Sequence, residues 1–255
     1  MADEIVMADE IVVETETQEQ RSARAREIMT RLRRMYPDAR CSLNFSTPHE
    51  LLVATVLSAQ CTDERVNQVT ATLFKKYRSP QDFANADLAE LEQDIKSTGF
   101  YRNKAKLVRD GAAVIVERFH GEVPRTMAEL TTIPGAARKT ANVVLGNAYG
   151  VVDGVVVDTH VGRVSRRLEL TSNEDPVKVE QDLMRLLPQE DWLAFSHCVI
   201  YHGRAICQAR KPLCAQGDLL DLCPTGQVTL VLATDGVGES KAKDASGKSR
   251  ARTRK

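Results

Sequence analysis

No apolar run in these 255 residues approaches the roughly 20 that a membrane-spanning helix requires, so a helical membrane protein is excluded. An export leader is not expected either. The first twenty residues hold seven acids (Asp3, Glu4, Asp9, Glu10, Glu14, Glu16, Glu19) and no base, unlike a secretory signal or an arginine-rich transit peptide. A cytoplasmic, nucleoid-associated protein is therefore expected, and in that compartment six cysteines do not read as a disulfide framework. Strand signals are almost absent, which leaves an all-α fold. Net charge is zero only because the two ends cancel. Outside the acidic start the chain carries +7, of which +6 comes from residues 241–255, so the body is close to +1. Phosphate binding must then come from local patches and from the Lys/Arg tail.

What is present is helical periodicity. Residues 21–36 carry Ile28, Leu32 and Tyr36 at helical spacing, with arginines on the other face. Thr47-Pro48-His49-Glu50 is a capping box with proline at the first helical position, opening a helix from Leu51 to Gln60 that is apolar all round and so central. Thr62-Asp63 starts a helix with Val66, Val69 and Leu73 as its buried stripe. Leu88 to Ile95 reads as a short helix, and residues 103–119 place Val108, Ala112, Ile115 and Phe119 on one face. Helices follow near 158–169, 178–187 and 192–205. Residues 1–20, in which Met-Ala-Asp-Glu-Ile-Val occurs at positions 1 and 7, are expected to be a disordered acidic tail, and residues 225–255 a disordered basic one.

Leu130 to Val144 organises the remainder. Ile133-Pro134-Gly135 predicts a tight turn between a short helix and a second helix beginning around Ala137, and helix N-terminal amides beside a glycine suit a DNA phosphate. Lys139 falls in the first turn of that second helix, where the positive end of the helix dipole opposes a charged ammonium. Only a neutral amine attacks carbon. Taken alone, a lysine there reads first as a plain phosphate contact, and it is the partner downstream that favours the nucleophile. Downstream, Val155-Val156-Val157-Asp158-Thr159-His160 is a β-branched run ending in an acid that either caps the next helix or assists Lys139.

With these residues the chain resembles the endonuclease III family of helix-hairpin-helix DNA glycosylases with AP-lyase activity, from about Ser42 to Cys223. The likeness rests on Leu57-Ser58-Ala59-Gln60-Cys61-Thr62-Asp63, Gly99-Phe100-Tyr101-Arg102-Asn103-Lys104-Ala105, the hairpin, Val157-Asp158-Thr159-His160 and His202-Gly203-Arg204. It implies two helical domains, residues 41–152 with the hairpin and residues 21–40 plus 153–224, with DNA in the cleft between them. It implies a monomer acting on double-stranded DNA that holds a damaged pyrimidine or an abasic site. Lys139 would be the Schiff-base nucleophile and Asp158 its carboxylate. Gln60, Phe100, Tyr101, Gly135, Ala137, Arg138 and His160 would contact DNA. Gln60 and the Gly99-Phe100-Tyr101 loop are the candidates for a wedge that fills the stack when a nucleotide is extruded.

Two rivals differ by residue. The related adenine-specific mismatch glycosylases lack the lysine and place a glutamate shortly before the glutamine loop, but Leu51 to Ala59 contains no acid. A non-catalytic hairpin module that clamps DNA would need neither Lys139 nor Asp158.

The resemblance also implies a [4Fe–4S] cluster on Cys-x6-Cys-x2-Cys-x5-Cys, and no nucleotide cofactor. Cys207, Cys214 and Cys223 match three of the positions, and the third position is Gly217. Four thiolates normally hold such a cluster. Asp218 as a substitute ligand, a three-iron cluster, zinc with His202 and no metal at all remain open. Cys41, Cys61 and Cys198 read as buried structural thiols. The hairpin departs too: Gly135-Ala136-Ala137 stands where the family has Gly-x-Gly, adding a methyl near the phosphate.

Overall fold

A computed structural model of the chain describes residues 16–235, in which every regular element is helical. The local signals account for most helix starts. At α1 (Gln18–Met35) the Thr17 side chain accepts from the Gln20 amide while Gln20 reaches back, and α2 (Pro48–Leu57) opens the same way from Thr47 and Glu50. α3 (Asp63–Lys76) is capped by Thr62 and buries Val66, Val69, Thr70 and Leu73. Then come α4 (Pro80–Ala84), α5 (Leu88–Asp94), α6 (Tyr101–Phe119), α7 (Met127–Leu130) and α8 (Arg138–Val144), which runs into a π-helical turn at Leu145–Tyr149. α9 (Thr159–Arg167), α10 (Pro176–Leu186), α11 (Trp192–Ala205) and α12 (Pro224–Asp235) complete the described residues.

Apolar side chains gather into two clusters. One is built on α2, with Leu51, Leu52, Val53, Ala54, Val56 and Leu57 buried against Val66, Leu91, Ile115, Leu130 and Leu145. The other joins Ile28, Met29 and Leu32 of α1 to Val161, Val164, Leu183, Phe195 and Val199. The Val155–Val157 run forms no regular element; Val155 and Val157 join the second cluster, and the Val156 amide donates to Ser196 Oγ at 3.0 Å. Among the described residues no helix is long and apolar enough to cross a membrane.

Four local expectations are corrected. α2 stops at Leu57 instead of Gln60, because Ser58 Oγ turns back to the Thr55 carbonyl and the chain goes left-handed at Gln60. Residues 18–20 are helical, since the Thr17 cap starts α1 inside the stretch expected to be tail. Pro224–Asp235 is α12, opened by Pro224 directly after Cys223. Residues 1–15 and 236–255, which hold the remainder of both expected tails, lie outside the described residues. Cys198 is buried, but Cys41 and Cys61 are only half-buried.

Candidate active site

The hairpin is built by its turn. The Ala136 amide closes on the Ile133 carbonyl at 3.0 Å, and Gly135 sits at φ +85°, where a Cβ would also come within 3.0 Å of Val56 Cγ2. Only glycine fits there. Ala137, the helix cap, is extended at φ −62°, ψ 165°, so the second glycine of the family pattern is not required by the backbone. Ala137, Arg138 and Lys139 are all exposed at the head of α8.

Arg138 does not point freely to solvent. Its Nε and Nη2 donate to Glu180 Oε2 and Oε1 at 2.9 and 3.1 Å, and Asn142 Nδ2 donates to the same Oε1 at 2.9 Å. Glu180 belongs to α10 in the second cluster and is buried, so this fork joins the hairpin to the other half of the molecule. Gly154 makes room for it: a Cβ there would stand 1.9 Å from Glu180 Oε1. Nothing in the sequence marks this pair, which is 42 residues apart.

Lys139 and Asp158 come from different elements to one cleft of about 130 Å³, which Asn147, His197, Tyr201 and Arg204 also line. Asp158 caps α9, its Oδ1 accepting from the His160 and Val161 amides at 2.9 and 2.8 Å. Its Oδ2 lies 3.0 Å from His160 Nδ1. The carboxylate is thereby held in one orientation while still lining the cleft, so capping and chemistry are compatible. His160 is not among the cleft-lining side chains; it braces Asp158 and packs against Gly203, where a Cβ would come within 3.3 Å of it.

Several cleft residues had no role assigned from sequence, among them Arg204, His197 and Tyr201. Arg204 donates to Asp63 Oδ2 at 2.7 Å and to Ser42 Oγ at 3.3 Å, tying α11 to α3. Its only sequence signal is the His202-Gly203-Arg204 motif. His197 faces Asn147 Oδ1 at 2.9 Å, and burial holds its imidazole below the usual histidine pKa. Tyr201 carried no signal at all.

The loops that follow α2 and precede α6 share an unusual backbone. Gln60 (φ 53°) and Phe100 (φ 49°) are both left-handed without being glycine, a conformation that side chains disfavour. Phe100 is 67% exposed, which rules out a core aromatic, and Gln60 is exposed. Tyr101 instead packs half-buried on the first cluster. Neither Gln60 nor Phe100 lines the cleft of Lys139 and Asp158.

Cys207, Cys214 and Cys223 line one small cavity with Gly217, Ile206 and His202. Its volume is about 30 Å³. The fourth side is Gly217, and a Cβ there would meet Ile206 Cγ2 at 2.9 Å. Asp218 turns outward to pair with Arg34. His202 Nδ1 is taken by the Tyr36 hydroxyl at 3.2 Å. Burial pushes the thiols of Cys214 and Cys223 up. Arginines hold the loop: Arg167 reaches Cys207 Sγ, the Gln208 carbonyl and the Ala209 carbonyl at 3.3, 2.7 and 2.8 Å, and Arg163 the Gly203 and Cys207 carbonyls at 3.0 Å each. Among the described residues no group of three or more His, Cys, Asp or Glu side chains is arranged to hold a metal ion. The donor set does not fit a four-thiolate cluster.

Comparison with known proteins gives the family. Residues 53–189, which include the hairpin, Lys139 and Asp158, match the HhH-GPD superfamily of base excision DNA repair proteins. Endonuclease III of Synechocystis sp. is 57% identical over 206 residues, covering 81% of this chain and 94% of that protein. A solved non-covalent endonuclease III–DNA complex superposes with a TM-score of 0.79 at 44% identity, covering 85% of this chain and all of that one. A trapped endonuclease III–DNA covalent intermediate, an estranged-adenine complex, gives 0.79 at 45% identity with the same coverage.

Proposed function

The chain belongs to the endonuclease III family within the HhH-GPD superfamily, and from that we propose that it removes damaged pyrimidines from duplex DNA with Lys139 as nucleophile and Asp158 as its carboxylate. It is a base excision repair DNA glycosylase with AP-lyase activity. The amine of Lys139 attacks C1′ of the extruded nucleotide, and the C1′–N bond breaks as the base leaves with its electron pair and takes up a proton. The amine loses its proton and the sugar ring opens, leaving an imine between Nζ and C1′. Loss of a C2′ proton then expels the 3′ phosphate, which cuts the strand 3′ to the abasic site, and water releases the enzyme. Asp158 stabilises the cationic sugar and assists proton transfer.

The observation carrying this reading is that Lys139, at the head of α8, and Asp158, at the head of α9, line one cleft. The turn, with half-buried Gly135 and exposed Ala137, offers amides at a helix start that are suited to the DNA backbone, while Arg138 beside it is engaged by Glu180. Arg40 adds positive charge in the same cleft, where Arg204 is paired with Asp63. The division into residues 41–152 and 21–40 plus 153–224 is part of the proposal, supported by the two apolar clusters. Gln60 and Phe100 act outside the cleft, filling the gap that the extruded nucleotide leaves. No step passes through a metal.

Borohydride trapping on an abasic duplex tests it. Wild type is expected to become covalently attached, and Lys139→Gln to lose trapping while still binding DNA. Asp158→Asn should slow excision on the order of a hundredfold, the scale of a positioned acid–base group, with little change in melting temperature. Undiminished trapping by Lys139→Gln would overturn the nucleophile assignment.

A further inference from the structure

Lys104 is the one lysine or arginine buried among the described residues, at 3% exposure. Its Nζ donates to the Leu57 carbonyl and to the Thr98 carbonyl, both at 2.8 Å. Leu57 is the last residue of α2, three before Gln60. Thr98 ends the short 3-10 turn Lys96–Thr98, two before Phe100. A single ammonium therefore ties together the roots of the Gln60 and Phe100 turns, two of the four described non-glycine residues with a left-handed backbone, the others being His120 and Glu169.

Burying an ammonium is costly unless hydrogen bonds compensate it. Among the described residues no carboxylate partners Lys104, and burial holds its pKa below the usual lysine value. Packing alone would be served as well by methionine or leucine. What the charge adds is donors aimed at two carbonyls at the C-terminal ends of helical turns, where the partial negative charge collects. The buried amine does not line the cleft and is no rival to the exposed Lys139.

We propose that Lys104 is a positioning residue that fixes the Gln60 and Phe100 turns relative to each other, so that both enter the duplex as one wedge. This rests on the wedge role given to Gln60 and Phe100 above. The coupling is geometric: a carbonyl freed at either root lets that turn relax out of its left-handed conformation, and the other turn then inserts alone.

The test compares excision of one lesion in duplex and in single-stranded DNA by the full-length protein, for Phe100→Ala, Lys104→Met and the double variant. Lys104→Met keeps the length of the stem and removes the donors. It should lower duplex excision about tenfold, the size of one to two lost net hydrogen bonds, and leave single-strand excision within about twofold. Phe100→Ala should show the same split, and adding it to Lys104→Met should cost less than about twofold more, because the two act as one unit. Lys104→Gln, which retains a donor, should recover part of the duplex rate, and it carries the same reading if Lys104→Met does not fold. Equal losses on both substrates by the Lys104 variants, with a split for Phe100→Ala, would overturn the positioning role and spare the wedge. Equal losses for Phe100→Ala itself would overturn the wedge and Lys104's part in it. Fully multiplicative losses in the double variant would also sink the proposal.

Discussion

The hairpin and the cysteine loop each depart from the family pattern at one position, and the departures differ in kind. At Ala137 a glycine is replaced by alanine, but the backbone there is extended at φ −62° and the residue contributes only its amide and carbonyl to the helix start. A function carried by the main chain survives a change of side chain. At Gly217 a thiol is absent, the position works only through that side chain, and its backbone (φ −106°, ψ 156°) makes no demand for glycine. Moreover the space is closed: Ile206 stands 2.9 Å from where a Cβ would be. The loop around it is fastened by Arg163 and Arg167 through backbone carbonyls, which need no metal.

If the hairpin's geometry depends on a side chain at all, that side chain is Glu180. Glu180→Ala is expected to cost about 2 kcal/mol, because Asn142 loses its acceptor in a buried site while Arg138, partly exposed, recovers water. In a protein of this size that is roughly 4–8 °C in melting temperature. Gly154→Ala must displace the same carboxylate and should cost a similar amount. Calorimetry with both variants, and with the pair combined, checks it. Losses that add independently would show that Gly154 and Glu180 do not form one latch.

The cysteine loop sharpens the contrast from the other side. Protein purified anaerobically is expected to hold fewer than four irons per chain and to melt at the same temperature after chelation. Gly217→Cys should lower stability by about 1 kcal/mol in the metal-free state, since the new Cβ crowds Ile206. Reconstitution with iron and sulfide should then raise the melting temperature of the variant alone, because a ligand bound only by the folded state stabilises it. Four irons in wild type, quantified with sulfide against protein, would mean that another group completes the site.

What was legible in the sequence was local. Thr47 with Glu50, Pro134 before Gly135, and Asp158 before a helix are signals whose partners lie within a few residues, so the hairpin, the caps and both lysine and carboxylate candidates were readable. Glu180 and Lys104 were not. One answers residues 38 and 42 positions away, the other two backbone carbonyls, and in a sequence each is an ordinary charge on a helix. Phe100 was ambiguous until its exposure was known, because an aromatic after a helix-ending glycine suits a core or a surface equally. α12 was missed because Val228, Leu230 and Val231 lack the polar alternation that marks an amphipathic helix.

The smallest expected effect is at Ala137 itself, and it is the most direct way to break the comparison. Restoring glycine there has two opposed consequences. Glycine is the better helix cap, which favours the folded chain. It also enlarges the unfolded ensemble, and since alanine already adopts the required φ without strain, that costs roughly 0.4–1 kcal/mol. The two nearly cancel, so Ala137→Gly should move the melting temperature by no more than about 2 °C. DNA affinity should change by less than about twofold, with the same salt slope, because the number of phosphates neutralised is unaltered. Titration of an abasic-site analogue duplex at several salt concentrations reads both. A tightening beyond about fivefold would mean that the alanine methyl stands where a phosphate needs to approach, and the hairpin's departure would then carry a cost like that of the cysteine loop.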